Sequence, residues 1–258
     1  MDIIHKLNFN LKLERFMKKN NYRYLFFSLS LVLSLFTFAG ETQEFTFMVE
    51  PAYTQEEGEW QLNLVLNNPT YQHNISTSLE AALSLEYGFS DTLQAEFSAN
   101  RANELEESLE AEISVEYELG LSYMFVEQQG LIPQFTIAAG IISEENEYGY
   151  EAGLLYSYQL AEQHFVHGNF IYEDIDNVSE VAANFAYAFT FDKSWTLLAE
   201  VERNKETSKH DSSEYVNTFS AGMVFATESE VELGLAYLLY NADTVQDYSW
   251  QFKAAYEF

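Results

Sequence analysis

In residues 109–125, LEAEISVEYELGLSYMF, every odd position is apolar. The even positions carry Glu110, Glu112, Ser114, Glu116, Glu118, Gly120, Ser122 and Met124. A helix would scatter this pattern around its surface, whereas a strand sorts it into one apolar and one polar face. The run is 17 residues long, against about five or six for an ordinary globular strand. The same period recurs over Leu79–Phe89, Tyr148–Tyr158, Val181–Phe191 and Val231–Leu239. It predicts thirteen candidate strands, near 43–53, 59–67, 78–89, 92–101, 109–126, 131–142, 147–159, 163–173, 179–191, 194–203, 214–226, 229–240 and 247–258. No helical pattern interrupts them, so the fold class is all-β.

The connections alternate too. Short turns are predicted at 89–91, 127–130, 160–162, 192–193 and 227–229, and longer polar loops at 68–77, 102–108, 143–146, 174–178, 204–213 and 241–246. One end with tight turns and one with loops is the arrangement of a transmembrane barrel. A soluble barrel would hide its apolar face inside. Here that face is large and aromatic, and twelve strands enclose a lumen too wide for apolar side chains to pack well. Trp60, Trp195 and Trp250 lie on the apolar face near strand ends, and Tyr87, Phe89, Tyr123, Phe125, Tyr156, Tyr158, Phe189 and Phe191 gather at the short-turn end. Amphipathic aromatics at two levels suit the two interfaces of a bilayer. The expected fold is an antiparallel, up-and-down transmembrane β-barrel of twelve strands.

The N-terminus reads as an export address. Lys18, Lys19 and Arg23 precede the apolar run Leu25–Phe38, and Thr37 and Ala39 stand at the small-residue positions of a signal-peptidase site. Residues 1–39 are therefore expected to be a signal peptide cleaved after Ala39, with Met17 an alternative start. Residues 40–58 are expected in the lumen or at the periplasmic mouth, because Pro51 cannot donate to a ladder and a thirteenth strand would start on the wrong side. Residues 59–258 form the barrel.

The 258 residues hold 12 Lys and Arg, 41 Asp and Glu, and no Cys. Residues 1–39 take six of the basic and two of the acidic residues, leaving six and 39 in the mature chain. This balance disfavours nucleic acid as a partner, and the absence of Cys excludes thiolate metal sites. Parity places Glu80, Glu86, Glu96, Glu110, Glu112, Glu116, Glu118, Glu151, Glu200, Glu202, Glu230, Glu232 and Glu257 on the inner face, with Lys253 the one basic residue there. Unpaired carboxylates in a dry interior destabilise a fold, so the pattern implies water, mobile cations or both. A hydrated filling and a cation-favouring pore both remain open.

Catalytic signals are weak. Mature histidines are His73, His164, His167 and His210; His167 is expected inward and His164 toward lipid. No paired nucleophile and base stands out, so no catalytic, cofactor or metal residues are assigned. Glu173-Asp174-Ile175-Asp176-Asn177 lacks the Gly and spacing of a calcium loop. It reads as a solvated acidic loop, bridged by divalent ions to anionic lipopolysaccharide.

The C-terminal YSWQFKAAYEF, with Trp250, Phe252, Ala254, Tyr256 and Phe258 on one face, resembles the terminal strand of bacterial outer-membrane proteins. That resemblance implies an outer-membrane location, recognition by the barrel assembly machinery and contact with outer-membrane lipid; Lys253 stands where the family often has Gly. Gly58-Glu59-Trp60 and Glu86-Tyr87-Gly88-Phe89-Ser90-Asp91 are similar to recurrent patterns of the twelve-stranded family labelled "MetA-pathway of phenol degradation", taken as transporter-like. Together these imply a passive channel for small solutes or cations, with a non-conducting structural barrel as the alternative.

Overall fold

The structure, a computed structural model, describes residues 46–70, 80–105, 111–144, 147–176, 178–192, 194–208, 213–227, 229–242 and 246–258. The expected signal peptide at 1–39, with Met17, lies outside them, as do Glu110, His73 and His210. The strands are β1 (Trp60–Thr70), β2 (Glu80–Ser90), β3 (Leu93–Leu105), β4 (Ala111–Val126), β5 (Gln134–Glu144), β6 (Glu147–Ala161), β7 (His164–Ile175), β8 (Val178–Asp192), β9 (Trp195–Ser208), β10 (Glu214–Ala226), β11 (Val231–Ala242) and β12 (Gln246–Glu257). Each pairs antiparallel with the next in sequence, and β1 pairs with β12, so the sheet closes into the expected twelve-stranded barrel. The seam runs from Gln61↔Glu257 to Thr70↔Tyr248. It is finished by Trp60 N donating to Phe258 O at 3.0 Å and Phe258 N donating to Trp60 O at 2.8 Å.

The barrel is inside-out relative to a soluble protein. Leu119, Leu121 and Tyr123 are 53%, 54% and 49% exposed, whereas Thr136, Ser157 and His167 are 1%, 0% and 0% exposed. A continuous belt of exposed Leu, Ile and Phe this wide is untenable in water and is the stable surface in hydrocarbon. From Val115 to Phe125 the belt spans ten residue steps, about 25 Å along the membrane normal at ordinary strand rise and tilt. Aromatic contacts mark its lower rim: Trp60–Tyr87 at 4.5 Å, Trp195–Phe225 at 4.6 Å, Phe125–Phe135 at 6.1 Å and Tyr256–Phe258 at 5.5 Å between ring centres. Tyr237–Trp250 at 5.0 Å, Tyr150–Tyr172 at 6.0 Å and Phe97–Tyr117 at 6.3 Å stand higher up. Register shifts at 88/90, 124/126, 159/161 and 190/192 all sit at the short-turn end, where bulges sharpen the twist into tight turns.

The opposite end differs from expectation. Residues expected as loops continue the ladders: β3 reaches Leu105, β5 and β6 meet across Glu144↔Glu147, β7 and β8 across Ile175↔Val178, and β9 reaches Ser208. Above the hydrocarbon both faces of a hairpin are wet, so the alternation stops while the hydrogen bonding goes on. Periodicity marks the lipid-facing part of a strand, not its whole length.

Residues 46–59 form no strand. Deleting Phe258 removes both closing hydrogen bonds and one ring of the lower rim. Less heat-modifiable barrel is expected in outer-membrane fractions on unheated gels, and unchanged amounts would place the assembly determinant elsewhere.

Candidate functional site

Buried backbone groups need partners, and residues 46–55 find theirs on the inner faces of six strands. Glu200 Oε1 on β9 accepts from the backbone N of Phe47, Met48 and Val49 at 2.9, 3.2 and 3.5 Å. Ser157 Oγ on β6 accepts from Ala52 N at 2.8 Å, and Gln134 Nε2 and Thr136 Oγ1 on β5 donate to Ala52 O. Asn169 Nδ2 on β7 donates to Glu50 O at 3.0 Å, and Gln94 Oε1 on β3 accepts from Gln55 N at 2.8 Å. Lys253 Nζ on β12 donates to Thr46 O at 3.0 Å. Phe47 adds one apolar anchor among Leu198, Val224, Ala236, Leu238 and Ala255. Two glycines make room for the segment. A Cβ on Gly222 would come 2.4 Å from the Phe47 ring, and one on Gly88 would come 2.0 Å from Glu56 O. Residues 46–55 thus lie inside the barrel as an internal plug, and residues 56–58 are exposed beside the turn between β2 and β3.

Beside the plug lies a cavity of about 440 Å³ lined by Glu50, Glu86, Glu96, Glu118, Glu151 and Lys253, among others. Glu86 is held at both oxygens, by Asn63 Nδ2 at 2.6 Å and Gln94 Nε2 at 2.7 Å. A second space of about 320 Å³ is lined by Glu80, Glu116 and Glu144. Here Asn67 Nδ2 donates to Glu80 Oε2 and Asn100 Nδ2 to Glu116 Oε1, both at 2.9 Å. Fixed amides orient these carboxylates. Burial, then the carboxylates of Glu96, Glu151, Glu86 and Glu118, push the Glu50 carboxyl well above the usual range.

The remaining sequence-picked residues fall in several places. Glu202 on β9 faces inward between Asn184 and Thr218. Glu232 on β11 and Glu96 on β3 are within electrostatic reach of Lys253. Glu257 ends β12 opposite Gln61, and Glu112 pairs in register with Glu104 on β3. Glu230 is a correction: it is exposed in the turn before β11 with φ 60°, because the ladder starts one residue later and parity has no meaning in a turn. The acidic run is another: Glu173 and Asp174 belong to β7, with Glu173 in register with Glu180 and Asp174 Oδ2 accepting from Tyr172 Oη at 3.1 Å. Sequence reasoning missed Glu50, Glu144, Glu173 and Glu180 as interior residues. Extending strand parity past the apolar belt would have found the last three.

It also missed a pair. Ser157 Oγ lies 2.8 Å from His167 Nδ1, across a register pair of β6 and β7. Tyr53 of the plug sets its ring edge-on to His167 at 5.9 Å. Ser157 already receives Ala52 N, and no described residue partners His167 Nε2. The pair anchors the plug and lacks the orienting acid of a catalytic triad. His164 stacks on Phe189 at 5.0 Å on the outer face.

No family model and no curated protein matches the chain, so the finer resemblance of Gly58–Trp60 and Glu86–Asp91 gains no support. Solved structures do match. The COG4313 outer membrane channel from Pseudomonas putida F1 superposes with TM-score 0.61 at 10% identity, covering 80% of this chain and 98% of that one. The fold is shared with outer-membrane porins. The NanC porin matches with TM-score 0.58 at 10% identity over 76% of this chain and 98% of that chain, and the KdgM porin with 0.56 at 13% over 77% and 99%.

The elevated Glu50 pKa fixes the sign of a pH effect. The docked plug holds a proton that the undocked segment releases, so docking is strongest below the ordinary carboxylate pKa of 4.5. It weakens as pH rises toward the docked value and loses this contribution above it. With no native Cys, a spin label at Val49→Cys reports the segment alone. Its mobile fraction is expected to grow above about pH 4.5. Glu50→Gln should flatten most of that rise, and Glu200→Ala should leave the label mobile at every pH.

Proposed function

We propose that this chain is a passive outer-membrane channel for small solutes, favouring cations, whose bore is narrowed by residues 46–55. The observation that carries the proposal is the cavity beside the plug, where five glutamates and one lysine line the free space. Acidic side chains around a narrow aqueous path concentrate cations and repel anions. Likeness to porins supports passage as the role of the bore, and the outer membrane as its location. One neighbour is the KdgM porin in complex with disordered oligogalacturonate, at TM-score 0.54 and 12% identity over 78% of this chain and 99% of that chain. Oligogalacturonate is a polyanion, and the glutamates here oppose such a solute. Different cargo on the same fold is the expected consequence.

A non-conducting barrel is the second reading, favoured by the hydrogen bonds that hold the plug on six strands. Planar-bilayer recordings separate the two. Mature protein is expected to conduct weakly with a cation-favouring reversal potential under a salt gradient, and high ionic strength should reduce that preference. Removing residues 46–58 should raise conductance. Glu116→Gln with Glu118→Gln should lower cation preference, and Lys253→Gln should raise it modestly. A reversal potential favouring anions overturns the selectivity, and silence both with and without the plug establishes the structural barrel.

A further inference from the structure

The basic residues are few, and their placement is uneven. Arg203 and Lys205 alternate on β9 with Glu202 and Asn204, so their side chains leave on the outer, lipid-facing side. Both approach one aromatic ring: the Arg203 guanidinium carbon is 5.1 Å and Lys205 Nζ 5.8 Å from the centre of Tyr215 on β10. Neither makes an ion pair with a described residue, although the chain carries 41 acidic side chains. The neighbouring Glu202 and Glu206 stand on the opposite face of the strand, and Asp174 is taken by Tyr172.

Height decides what this pair meets. Trp195 marks the lower rim, and Arg203 and Lys205 stand eight and ten residues further along β9, about 20 and 25 Å up the membrane normal. Below them the outer face of β9 and β10 is apolar, through Val201, Leu197, Phe219 and Met223. The pair therefore stands where the hydrocarbon ends, at the edge with longer connections, which faces outward in such barrels. A cation at that depth reaches a lipid headgroup along its own aliphatic stem. Arg101 is exposed at a matching height on β3, half-way round the ring, so the outward cations among the described residues keep to one level.

We propose that Arg203, Lys205 and Tyr215 form a binding site for the phosphate of an outer-leaflet glycolipid of the lipid A type. The guanidinium fork takes two phosphate oxygens, the ammonium adds a point charge, and the Tyr215 ring holds both cationic groups side by side. The site rests on the outer-membrane placement proposed above, and not on conduction.

Native mass spectrometry of detergent-purified mature protein with added lipid A tests it. The wild type should hold lipid A about tenfold more tightly than Arg203→Gln with Lys205→Gln, with unchanged heat-modifiable migration confirming the fold of the variant. Dephosphorylated lipid A gives a readout that needs no variant, and the wild type should bind it no better than the double variant binds lipid A. Equal binding of phosphorylated and dephosphorylated lipid, or equal binding by wild type and variant, overturns the site. Phosphatidylglycerol binding as tightly as lipid A also overturns it, because the ligand would then be any anionic headgroup. A protein that binds lipid A and yet carries no current would retain this site and lose the channel reading.

Discussion

Every backbone amide inside a bilayer must find its partner within the protein, because hydrocarbon offers none. A sheet meets that demand only by closing, and closure here depends on one seam, β1 against β12. The side chains follow from it. Once the ring is shut, one face of each strand looks at lipid and the other at the lumen, and the period-two alternation becomes a sorting into two solvents. Phe258 sits at the end of that seam, bonded to Trp60 in both directions. Phe258 thus ties the last strand of the sheet to the first.

The reversal of inside and outside explains why a plug can dock at all. A soluble core would meet residues 46–55 with methyl groups and leave their amides unpaired. The lumen meets them with Glu200, Ser157, Gln134, Asn169 and Gln94. The same polarity sets the cost. The plug carries Glu50 into a space already lined by Glu86, Glu96, Glu118 and Glu151, and there its carboxyl favours the protonated form. Hydrogen bonding holds the segment in while electrostatics works against it.

Fold and facing were legible because alternation has a fixed period and no helical residue count can imitate it over 17 positions. The reading failed where one of its assumptions lapsed. Glu173 and Glu180 pair in register at the hairpin end of β7 and β8, just beyond the runs of apolar residues from which parity is counted. Glu230 sits in a turn, where parity stops. Pro51 keeps residues 46–58 out of the ladder as expected, but the partners of the segment, up to 207 residues away, leave no mark in the sequence. The Ser157–His167 contact depended on register. Both were inward by parity, but only the β6–β7 pairing sets them opposite each other.

Plug and wall also differ in how they can move. Opening the wall breaks a ladder whose strands are each bonded on two sides, and it exposes amides to lipid. Releasing the plug breaks isolated side-chain bonds, each worth about 1 kcal/mol net in a wet lumen, and water replaces them at once. Phe47 is the apolar part of the grip, and it leaves a cluster that stays covered by Leu198, Val224 and Leu238 on the wall itself. The lowest-energy opening of the molecule is therefore inside the barrel. Conformational change and membrane integrity are uncoupled: the segment can leave and return while the ring that faces lipid keeps every one of its hydrogen bonds.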